Sequence, residues 1–511
     1  MNQRISSILS ATILLGFLIL SLTSLSAQRT NVLFIPVDDL KPLLGVYGDP
    51  LVKTPNIDRL AETGTVFLNN SCQQAICGPT RASLLTGMYP DYTQVWDLRT
   101  KMRDINPQIL TIPQYFKNQG YTTAGVGKTF DNRCVDNGQD MDKPSWSIPY
   151  LKVHSKQYAN PEVNAAWEKA EKLVAGKKFK VNYLRAKAIS DLGGPLCRPS
   201  TESMDVPDDT YADGANARAA VKMLDKLAKA KAPFFFSVGF SKPHLPFVAP
   251  KKYWDLYNQE DISLAAFRQR AKNSPNIAYK GSNLGEISSY SDIPNQGPLT
   301  TQKQIQLIHG YMAATSYMDA QVGLLLDKLE ALGIKDNTVV ILWGDHGFHL
   351  GDHGLWTKHT NFEQAVRSPM IISAPNGFTA NKNNSPTEFV DIFPTLCELT
   401  NLNIPKHLPG KSLVPLMKDP STSLRFAALS QYPRGPKRMG YTLRSERFRY
   451  VKWLQMNYKT GERKGSLIAT ELYDYQNDPL ETVNQFDNPD YKQVVKAFEN
   501  EFKRRNVAQL N

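Results

Sequence analysis

The sequence contains few cysteines and, after its amino terminus, no long hydrophobic run. Five cysteines in 511 residues are too few for a fold built on disulfides, and their odd number leaves at least one outside any internal pair. No segment after residue 27 approaches the roughly 18 apolar residues of a membrane span. No repeat or low-complexity tract is present either. These absences exclude a disulfide scaffold, a polytopic membrane protein and a repeat array.

Nucleic-acid-binding patterns are also absent, although the chain is basic. Lysine and arginine number 60 against 48 acidic residues, a net charge of +12. The basic residues are scattered, and neither zinc-finger spacing nor a basic helix occurs. The excess therefore indicates a lysine-rich mixed surface or a preference for anionic substrates, with no nucleic acid as partner.

The amino terminus has the pattern of a signal peptide over residues 1–27. Arg4 precedes the apolar stretch Ala11–Leu20, and small residues, Ser24 to Ala27, suit a cleavage site. We expect export to a bacterial periplasm or secretion, without stable membrane insertion after cleavage. A retained signal anchor is the alternative.

Short apolar runs alternate with helical patterns through most of the chain, which predicts an α/β fold. A mostly parallel central sheet flanked by helices follows from that alternation. The predicted strands are Asn31–Val37, Thr122–Val126, Phe234–Phe240, Thr338–Trp343 and Met370–Ala374, and the predicted helices are Asn56–Thr63, Arg81–Thr86, Ile112–Gln119, Asp213–Ala230 and Gln302–Leu332. Residues 141–212 and Asn258–Gly297 are expected to be irregular excursions that shape a pocket.

The pattern changes after residue 405. Leu443–Trp453 alternates like one antiparallel strand, Glu471–Tyr475 follows as another, and Lys492–Arg505 has the period of an amphipathic helix. We expect a main domain over residues 28–405 and a smaller α+β subdomain with an antiparallel sheet over 406–511.

Charged residues cluster directly after four of the predicted strands. In open α/β sheets ligands bind at the carboxyl ends of strands, and adjacent carboxylates repel each other unless a cation lies between them. The chain therefore predicts a divalent metal site, with oxygen ligands that suit calcium or magnesium and a histidine that would admit manganese or zinc. The alternative is that each aspartate caps a helix. The predicted metal-site residues are Asp38, Asp39, Asp345 and His346, and Lys128 and His244 are other charged residues of the same strand-end cluster.

Cys77 stands two residues before Pro79, which is favoured in the first turn of a helix. A helix start lowers a thiol pKa, and Arg81 adds a positive charge one turn on. A structural cysteine and a nucleophile both remain open on this local pattern. Taken alone, His244 fits a structural residue as well as a catalyst, and Lys358 fits a surface lysine.

Several segments together resemble the type I, formylglycine-dependent sulfatase family. Cys77-Gly78-Pro79-Thr80-Arg81 with Leu85-Thr86-Gly87 resembles its modification motif. Other segments extend the resemblance to the family over nearly the whole mature chain, among them Gly344-Asp345-His346-Gly347 and Leu350-Gly351-Asp352-His353-Gly354. The iduronate-2-sulfatase-like branch is indicated by Gln73-Gln74-Ala75, Lys242-Pro243-His244, Ser316-Tyr317-Met318-Asp319 and His346.

The resemblance implies an alkaline-phosphatase-like fold and a hydrolase that releases inorganic sulfate from a sulfated glycan, for which a uronate-containing fragment is one candidate. A maturation enzyme would convert Cys77 to formylglycine. One Ca²⁺ per chain would be bound by Asp38, Asp39, Asp345 and His346 together with the modified Cys77. Arg81 and Lys128 would hold the formylglycine, and His244 and Lys358 would bind the sulfate and assist the leaving oxygen.

One position departs from that family's pattern. Asp131 stands where the branch has histidine, and it could contact the substrate or point away as a turn residue. Asp97, Arg99 and Arg103 are weaker candidates for sugar binding, since arginine suits carboxylates. Two other functions remain open: a formylglycine-dependent phosphonate or phosphodiester hydrolase, and a non-catalytic glycan-binding relative.

Overall fold

The apolar segments form a central sheet, and a second sheet lies near the carboxyl terminus. The computed structural model describes residues 29–179, 182–294, 297–375, 377–461 and 463–510. The signal peptide predicted for residues 1–27 lies outside this range. The strands, in chain order, are β1 (Asn31–Val37), β2 (Gly64–Phe67), β3 (Asn70–Ser71), β4 (Thr122–Gly127), β5 (Thr201–Met204), β6 (Phe234–Gly239), β7 (Phe247–Pro250), β8 (Thr338–Gly344), β9 (His349–Leu350), β10 (Trp356–Thr357), β11 (Met370–Ser373), β12 (Asn381–Asn383), β13 (Thr387–Glu388), β14 (Ala428–Pro433), β15 (Arg438–Arg444), β16 (Phe448–Gln455), β17 (Lys464–Asp474) and β18 (Gln509–Leu510).

Seven strands make the central sheet, in the order β12-β2-β11-β8-β1-β6-β4. β1 runs parallel to β6 and β8, and β4 runs parallel to β6. β11 is antiparallel to β2 and β8. The expected mostly parallel sheet is confirmed. Strands β2 and β12 were not predicted, because both are short and β12 is polar.

Both faces of this sheet are buried, as its sequence pattern requires. Val32 and Phe34 of β1 belong to the core on one face, whereas Leu33 and Ile35 belong to the core on the other. Since side chains alternate along a strand, a continuous apolar run must be covered on both sides. This double burial makes the sheet a rigid platform for the residues at its edge.

Helices supply the cover on both faces. All five predicted helices are present within a few residues of the predicted bounds. None of the helices in the described residues is long and apolar enough to cross a membrane. The helices are Pro55–Ala61, Cys77–Thr86, Pro90–Thr93, Met102–Ile105, Ile112–Asn118, Pro161–Val174, Asn182–Gly193, Ala212–Ala228, Lys251–Trp254, Thr301–Ala331, Glu363–Val366, Ile392–Leu399, Val414–Lys418 and Lys492–Arg504.

The irregular excursion predicted for residues 141–212 is wrong for much of its length. It contains the helices Pro161–Val174 and Asn182–Gly193. The first has a clear start, because the Asn160 side chain accepts from the Glu162 amide at 2.9 Å and Pro161 occupies the first turn. In 258–294, by contrast, the chain forms only short 3₁₀ turns.

The second sheet contains β14 to β18 in sequence order. It is antiparallel as far as β17, and β18 joins in parallel. The single strand predicted over Leu443–Trp453 is wrong: a turn at residues 445–447 divides β15 from β16, with the Ser445 amide donating to the Phe448 carbonyl at 2.8 Å. Phe498 and Phe502 of the last helix pack on this sheet. The subdomain boundary at residue 406 stays a prediction.

Candidate active site

Four strand ends of the central sheet meet at one place. Val37 of β1 lies opposite Gly344 of β8 in a parallel register, so the residues that follow both strands leave side by side. The pairing continues past the strand ends, since the Asp345 amide donates to the Val37 carbonyl at 3.0 Å and the Lys128 amide to the Gly239 carbonyl at 3.1 Å. The strand-end residues expected to share a site therefore do so.

A close packing of backbones lets β4 end beside β6. Gly127 has φ +74°, and a Cβ there would lie 1.9 Å from the carbonyl oxygen of Gly239. A side chain would push the two strands apart at the point where Lys128 enters the site. Glycine is therefore required at this position.

Cys77 begins its helix at the centre of these strand ends. Its thiol lies 3.3 Å from His346 Nε2 and 3.8 Å from Asp39 Oδ1. Burial, with the nearby charge of Asp38, raises the pKa of the Cys77 thiol well above its ordinary value. All five cysteines of the chain are buried and unpaired. As encoded, Cys77 is thus a protonated thiol and a weak nucleophile.

The buried carboxylates around Cys77 have the chemistry of a cation site. Donor atoms of Asp39, Cys77, Asp345 and His346 all lie within 4.8 Å of one another, and all four residues are buried. His346 Nδ1 lies 2.9 Å from the Gly347 carbonyl. A carbonyl can only accept, so Nδ1 carries the proton and the lone pair of Nε2 faces the carboxylates. This orientation is typical of metal-binding histidines.

The electrostatics of the cluster also favour a cation. Burial opposes ionisation of Asp38, yet the charges of Lys128, His244 and Arg81 outweigh it and hold the pKa of that carboxyl well below its ordinary value. Burial raises the pKa of Asp345. A divalent ion would let both carboxylates stay ionised.

Three basic side chains contact these carboxylates directly. Arg81 Nε donates to Asp345 Oδ2 at 3.0 Å, and Lys128 Nζ pairs with Asp38. Lys358 Nζ lies 2.7 Å from both oxygens of Asp39. Although burial alone would lower them, the pKa values of Arg81, Lys128 and Lys358 are raised by these carboxylates. All three therefore remain positively charged.

His244 reaches the cluster from the segment after β6. Asp213 holds that segment, since its two oxygens accept from the amides of Ser241 at 2.8 Å and Lys242 at 2.7 Å. Burial raises the pKa of Asp213 to about 6. His244 Nδ1 lies 2.6 Å from the Leu245 carbonyl, so Nδ1 carries a proton and Nε2 faces the site.

A cavity of about 1000 Å³ opens onto Cys77. This is at the upper end of the usual range for small-molecule sites. Lys128, His244 and Lys358 line it, and Glu286 lies 3.7 Å from His244 Nε2 and 3.4 Å from Lys358 Nζ. Cys77, Lys128, His244 and Lys358 thus face one common space, whereas Arg81 is fully buried and does not line it.

The four weaker substrate-binding candidates are placed differently. Asp97 Oδ1 accepts from the amides of Arg99 and Thr100, at 2.9 Å each, and Arg103 pairs with Asp142. None of the three predicted loop residues, Asp97, Arg99 and Arg103, is among the cavity-lining residues in the described part of the chain. Asp131 is buried and pairs with Arg133, so it does not line the cavity either. Their role in substrate binding stays a prediction.

Sequence reasoning missed several charged residues at the cavity wall, among them Glu286, Arg133 and Asp213. Glu286 comes from the irregular 258–294 segment, and no strand pattern precedes it. Arg133 lies five residues after Lys128 in the loop that follows β4, which is a signal that could have been used. Asp213 lies in the first turn of a helix, where a capping role was the natural interpretation.

Comparison with known proteins gives one consistent result. Residues 30–402 match the sequence profile of the family described as Sulfatase, and residues 351–508 match that described as N-sulphoglucosamine sulphohydrolase, C-terminal. Human iduronate 2-sulfatase is 33% identical, with 91% of this chain and 92% of that protein covered.

Two solved structures share the fold. A protein in complex with its substrate D-glucosamine-2-N,6-O-disulfate has a TM-score of 0.71 at 20% identity, covering 93% of this chain and 97% of its own. A phosphonate monoester hydrolase of Agrobacterium radiobacter has a TM-score of 0.68 at 23% identity, covering 93% and 95%. The alkaline-phosphatase-like architecture expected from the sequence is confirmed.

Proposed function

The chain belongs to the sulfatase family and is a sulfuric ester hydrolase, and from this premise we propose that it releases inorganic sulfate from a sulfated glycan. The observation that carries the proposal is the shared cavity of Cys77, Lys128, His244 and Lys358. Its size suits a sugar fragment of more than one ring, and a uronate-containing oligosaccharide from polysaccharide degradation is the candidate that similarity to iduronate 2-sulfatase favours.

We propose one Ca²⁺ per chain at the carboxylate cluster. Asp38, Asp39, Asp345 and His346 would hold it, together with the group at position 77. The donor set fits, because it contains three carboxylates and a histidine whose Nε2 lone pair faces them. When bound, the ion would offset the negative charge that gathers around the sulfate.

We also propose that Cys77 is converted to formylglycine during maturation. The buried, protonated thiol is poorly suited to attack, whereas a formylglycine that has added water would present the hydroxyl of an aldehyde hydrate as the nucleophile at the same place. A formylglycine-generating enzyme would be the partner in this step. A sulfated carbohydrate is the proposed substrate, and a periplasmic or secreted location follows if residues 1–27 are cleaved.

The chain's own side chains have separable tasks in this proposal. Lys128 and Lys358 are permanent cations that stabilise the sulfate oxygens and the charge that develops as the ester bond breaks. Arg81 is enclosed by Asp345 and by the Thr129 carbonyl at 2.9 Å, so it orients the carboxylates and the helix start. His244 Nε2 faces the cavity, and because Nδ1 already carries a proton, the doubly protonated ring could give its Nε2 proton to the leaving oxygen.

A sulfate-release assay on defined sulfated oligosaccharides tests the proposal, with Cys77→Ala as the matched inactive control. We expect free sulfate from at least one glycan, no release by the variant, and a mass at the Cys77 peptide that corresponds to formylglycine. Release from 2-sulfated uronates would support the uronate candidate, and release only from sulfated neutral sugars would contradict it.

The two alternatives have their own outcomes in the same experiment. Hydrolysis of phosphonate or phosphodiester substrates in preference to sulfate esters would establish the phosphonate hydrolase instead. Its structural likeness is a likeness of fold alone. Glycan binding with an unconverted Cys77, from a host that matures other sulfatases, would establish the non-catalytic relative.

A further inference from the structure

Arg133 presents its guanidinium to the cavity while its carboxylate partner stays behind it. Asp131 Oδ1 accepts from Arg133 Nε at 2.8 Å, and Asp131 Oδ2 accepts from Nη2 at 2.6 Å. The Asp131 side chain is 1% exposed and that of Arg133 is 35% exposed. Arg133 lines the cavity beside Cys77 and Lys128. The pair is therefore oriented, with the positive end toward any ligand.

The pairing leaves part of the guanidinium unused. Nε and Nη2 are both engaged by Asp131, and no hydrogen bond from Nη1 occurs within the parts of the chain that the structure describes. Two other cations that line the cavity differ in this respect: Arg434 Nη1 donates to the His359 carbonyl at 2.9 Å, and Lys242 Nζ donates to the Pro246 carbonyl at 2.6 Å. Arg133 keeps three of its five N–H donors for a ligand, two on Nη1 and one on Nη2.

The loop that carries Arg133 is anchored to the catalytic elements. The Thr129 carbonyl accepts from Arg81 Nη1 at 2.9 Å, and the Thr129 hydroxyl lies 2.6 Å from that of Ser237 in β6. Asp131 Oδ1 also accepts from the Arg133 amide at 3.1 Å, which closes the turn at residues 132–134. Arg133 is thus held in a fixed position relative to Cys77, and a fixed donor binds a ligand with little loss of entropy.

The charged residues around Arg133 indicate which kind of group it would bind. Arg133, Cys77 and Glu286 all line the same cavity, so the guanidinium faces the space that would hold the sulfate. Lys128 and Lys358 already supply the positive charge for that sulfate. A further forked cation beside it suits a second anionic group on the same sugar or its neighbour.

We infer that Arg133 is a specificity-determining residue that binds a second anion of the substrate, a carboxylate or a further sulfate, beside the sulfate that is released. Asp131 is a positioning residue that acts through Arg133. The inference rests on the proposed sulfatase function and deepens it, since it gives the substrate at least two negative charges.

Matched substrates test the inference. Each pair has the same sulfate ester and differs in one neighbouring group: a uronate against its carboxyl-reduced alcohol in one arm, and a disulfated against a monosulfated sugar in the other. The quantity measured is the ratio of kcat/KM within each pair, for the wild-type enzyme, Arg133→Lys, Arg133→Met, Asp131→Asn and the double variant Asp131→Asn/Arg133→Met. The double variant removes both charges and so leaves no buried carboxylate unpaired.

The ratio is kcat/KM for the more charged substrate divided by kcat/KM for the less charged one. In the pair that differs in the group bound by Arg133, we expect this ratio to fall by roughly tenfold or more in the double variant. Arg133→Lys should retain part of it, because a lysine keeps the charge and loses the fork. Made alone, Asp131→Asn should lower the ratio. Added to Arg133→Met, it should change the ratio no further, as expected of a residue that acts only through its partner.

Ratios within about twofold of wild type in both arms would overturn the inference, as would a wild-type preference for the less charged member of each pair. Sulfate release with unchanged ratios would overturn this inference alone. An absence of sulfate release from every substrate, by wild-type enzyme with Cys77 converted, would overturn the proposed function and the inference together.

Discussion

The Asp131–Arg133 pair makes an asymmetric prediction about stability. Asp131→Asn leaves a guanidinium that is 35% exposed and can turn to the solvent of the cavity, whereas Arg133→Met leaves a carboxylate that is 1% exposed. Removing one partner of an ion pair lowers the stability of the fold most when the charge that is left behind is buried. We therefore expect Arg133→Met to destabilise the protein more than Asp131→Asn.

The lowered pKa of Asp131 gives the size of the destabilisation that we expect from Asp131→Asn. Burial opposes ionisation of Asp131, but the Arg133 and Lys128 charges outweigh it and lower the pKa to about 2 from 3.8. This lowering of the Asp131 pKa corresponds to a contribution of at most about 2.4 kcal/mol to the free energy of unfolding at pH 7. Solvent around Arg133 screens the pair, so we expect Asp131→Asn to cost about 1–2 kcal/mol and Arg133→Met about 3–5 kcal/mol.

The dependence on pH has a definite sign. Because the folded-state pKa lies below the unfolded value, the pair's contribution is fully present above about pH 4. It is lost as the pH falls from about 4 toward 2. The difference in stability between wild type and Asp131→Asn should therefore be constant from pH 7 to about pH 5 and shrink below pH 4.

Thermal and denaturant unfolding of the four members of a double-mutant cycle measure these effects. Asp131→Asn should partly rescue Arg133→Met, because it removes the stranded carboxylate. Asp327→Asn, which breaks the exposed pair of Asp327 and Arg59, is the matched control and should change stability by less than about 1 kcal/mol. The reasoning is refuted if Arg133→Met is no less stable than Asp131→Asn, or if the second substitution adds to the damage of the first.

Three further predictions concern the catalytic cluster and the sheet edge. Cys77→Ala should reduce sulfate release by at least about a thousandfold with unchanged circular dichroism, and retained turnover would exclude position 77 from the chemistry. Chelation should lower the melting temperature of the wild-type protein, and added Ca²⁺ should restore it. Added Ca²⁺ should not raise the melting temperature of Asp345→Asn in this way, and equal restoration in that variant would contradict the proposed ligand set. Gly127→Ala, which places a Cβ 1.9 Å from the Gly239 carbonyl oxygen, should destabilise the protein by more than about 3 kcal/mol, against about 1 kcal/mol for Gly176→Ala, where φ is also positive and the space is open. Similar losses in the two alanine variants would show that backbone strain alone matters.

The elements that the sequence predicts well are those with a strong local pattern. The run Asn31–Val37 is buried on both faces, and its apolar residues leave no alternative to an interior strand. The strand-end residues could then be assigned to one edge, because parallel strands deliver their carboxyl ends to the same side. This rule assigns Asp38, Lys128 and Asp345 to one edge of the sheet from the sequence alone.

The residues that escaped prediction lack such a pattern. Glu286 lies on a short 3₁₀ turn whose position depends on packing of the whole 258–294 segment, and no periodicity encodes that packing. The helix Asn182–Gly193 has a poorly defined apolar face, so its period is not visible in the chain. The strand break at Ser445 depends on a single polar turn within an alternating run.

Asp131 departs from the pattern of the family, and this affects which side chain can donate a proton to the leaving oxygen. A histidine at that place could exchange a proton near neutral pH. Asp131 cannot, because its pKa is about 2 and both oxygens are held by Arg133. Lys128 and Lys358 have raised pKa values and are poor donors at neutral pH. We therefore propose the doubly protonated ring of His244 as the proton donor to the leaving oxygen, while the loop after β4 presents the fixed cation Arg133 to the cavity.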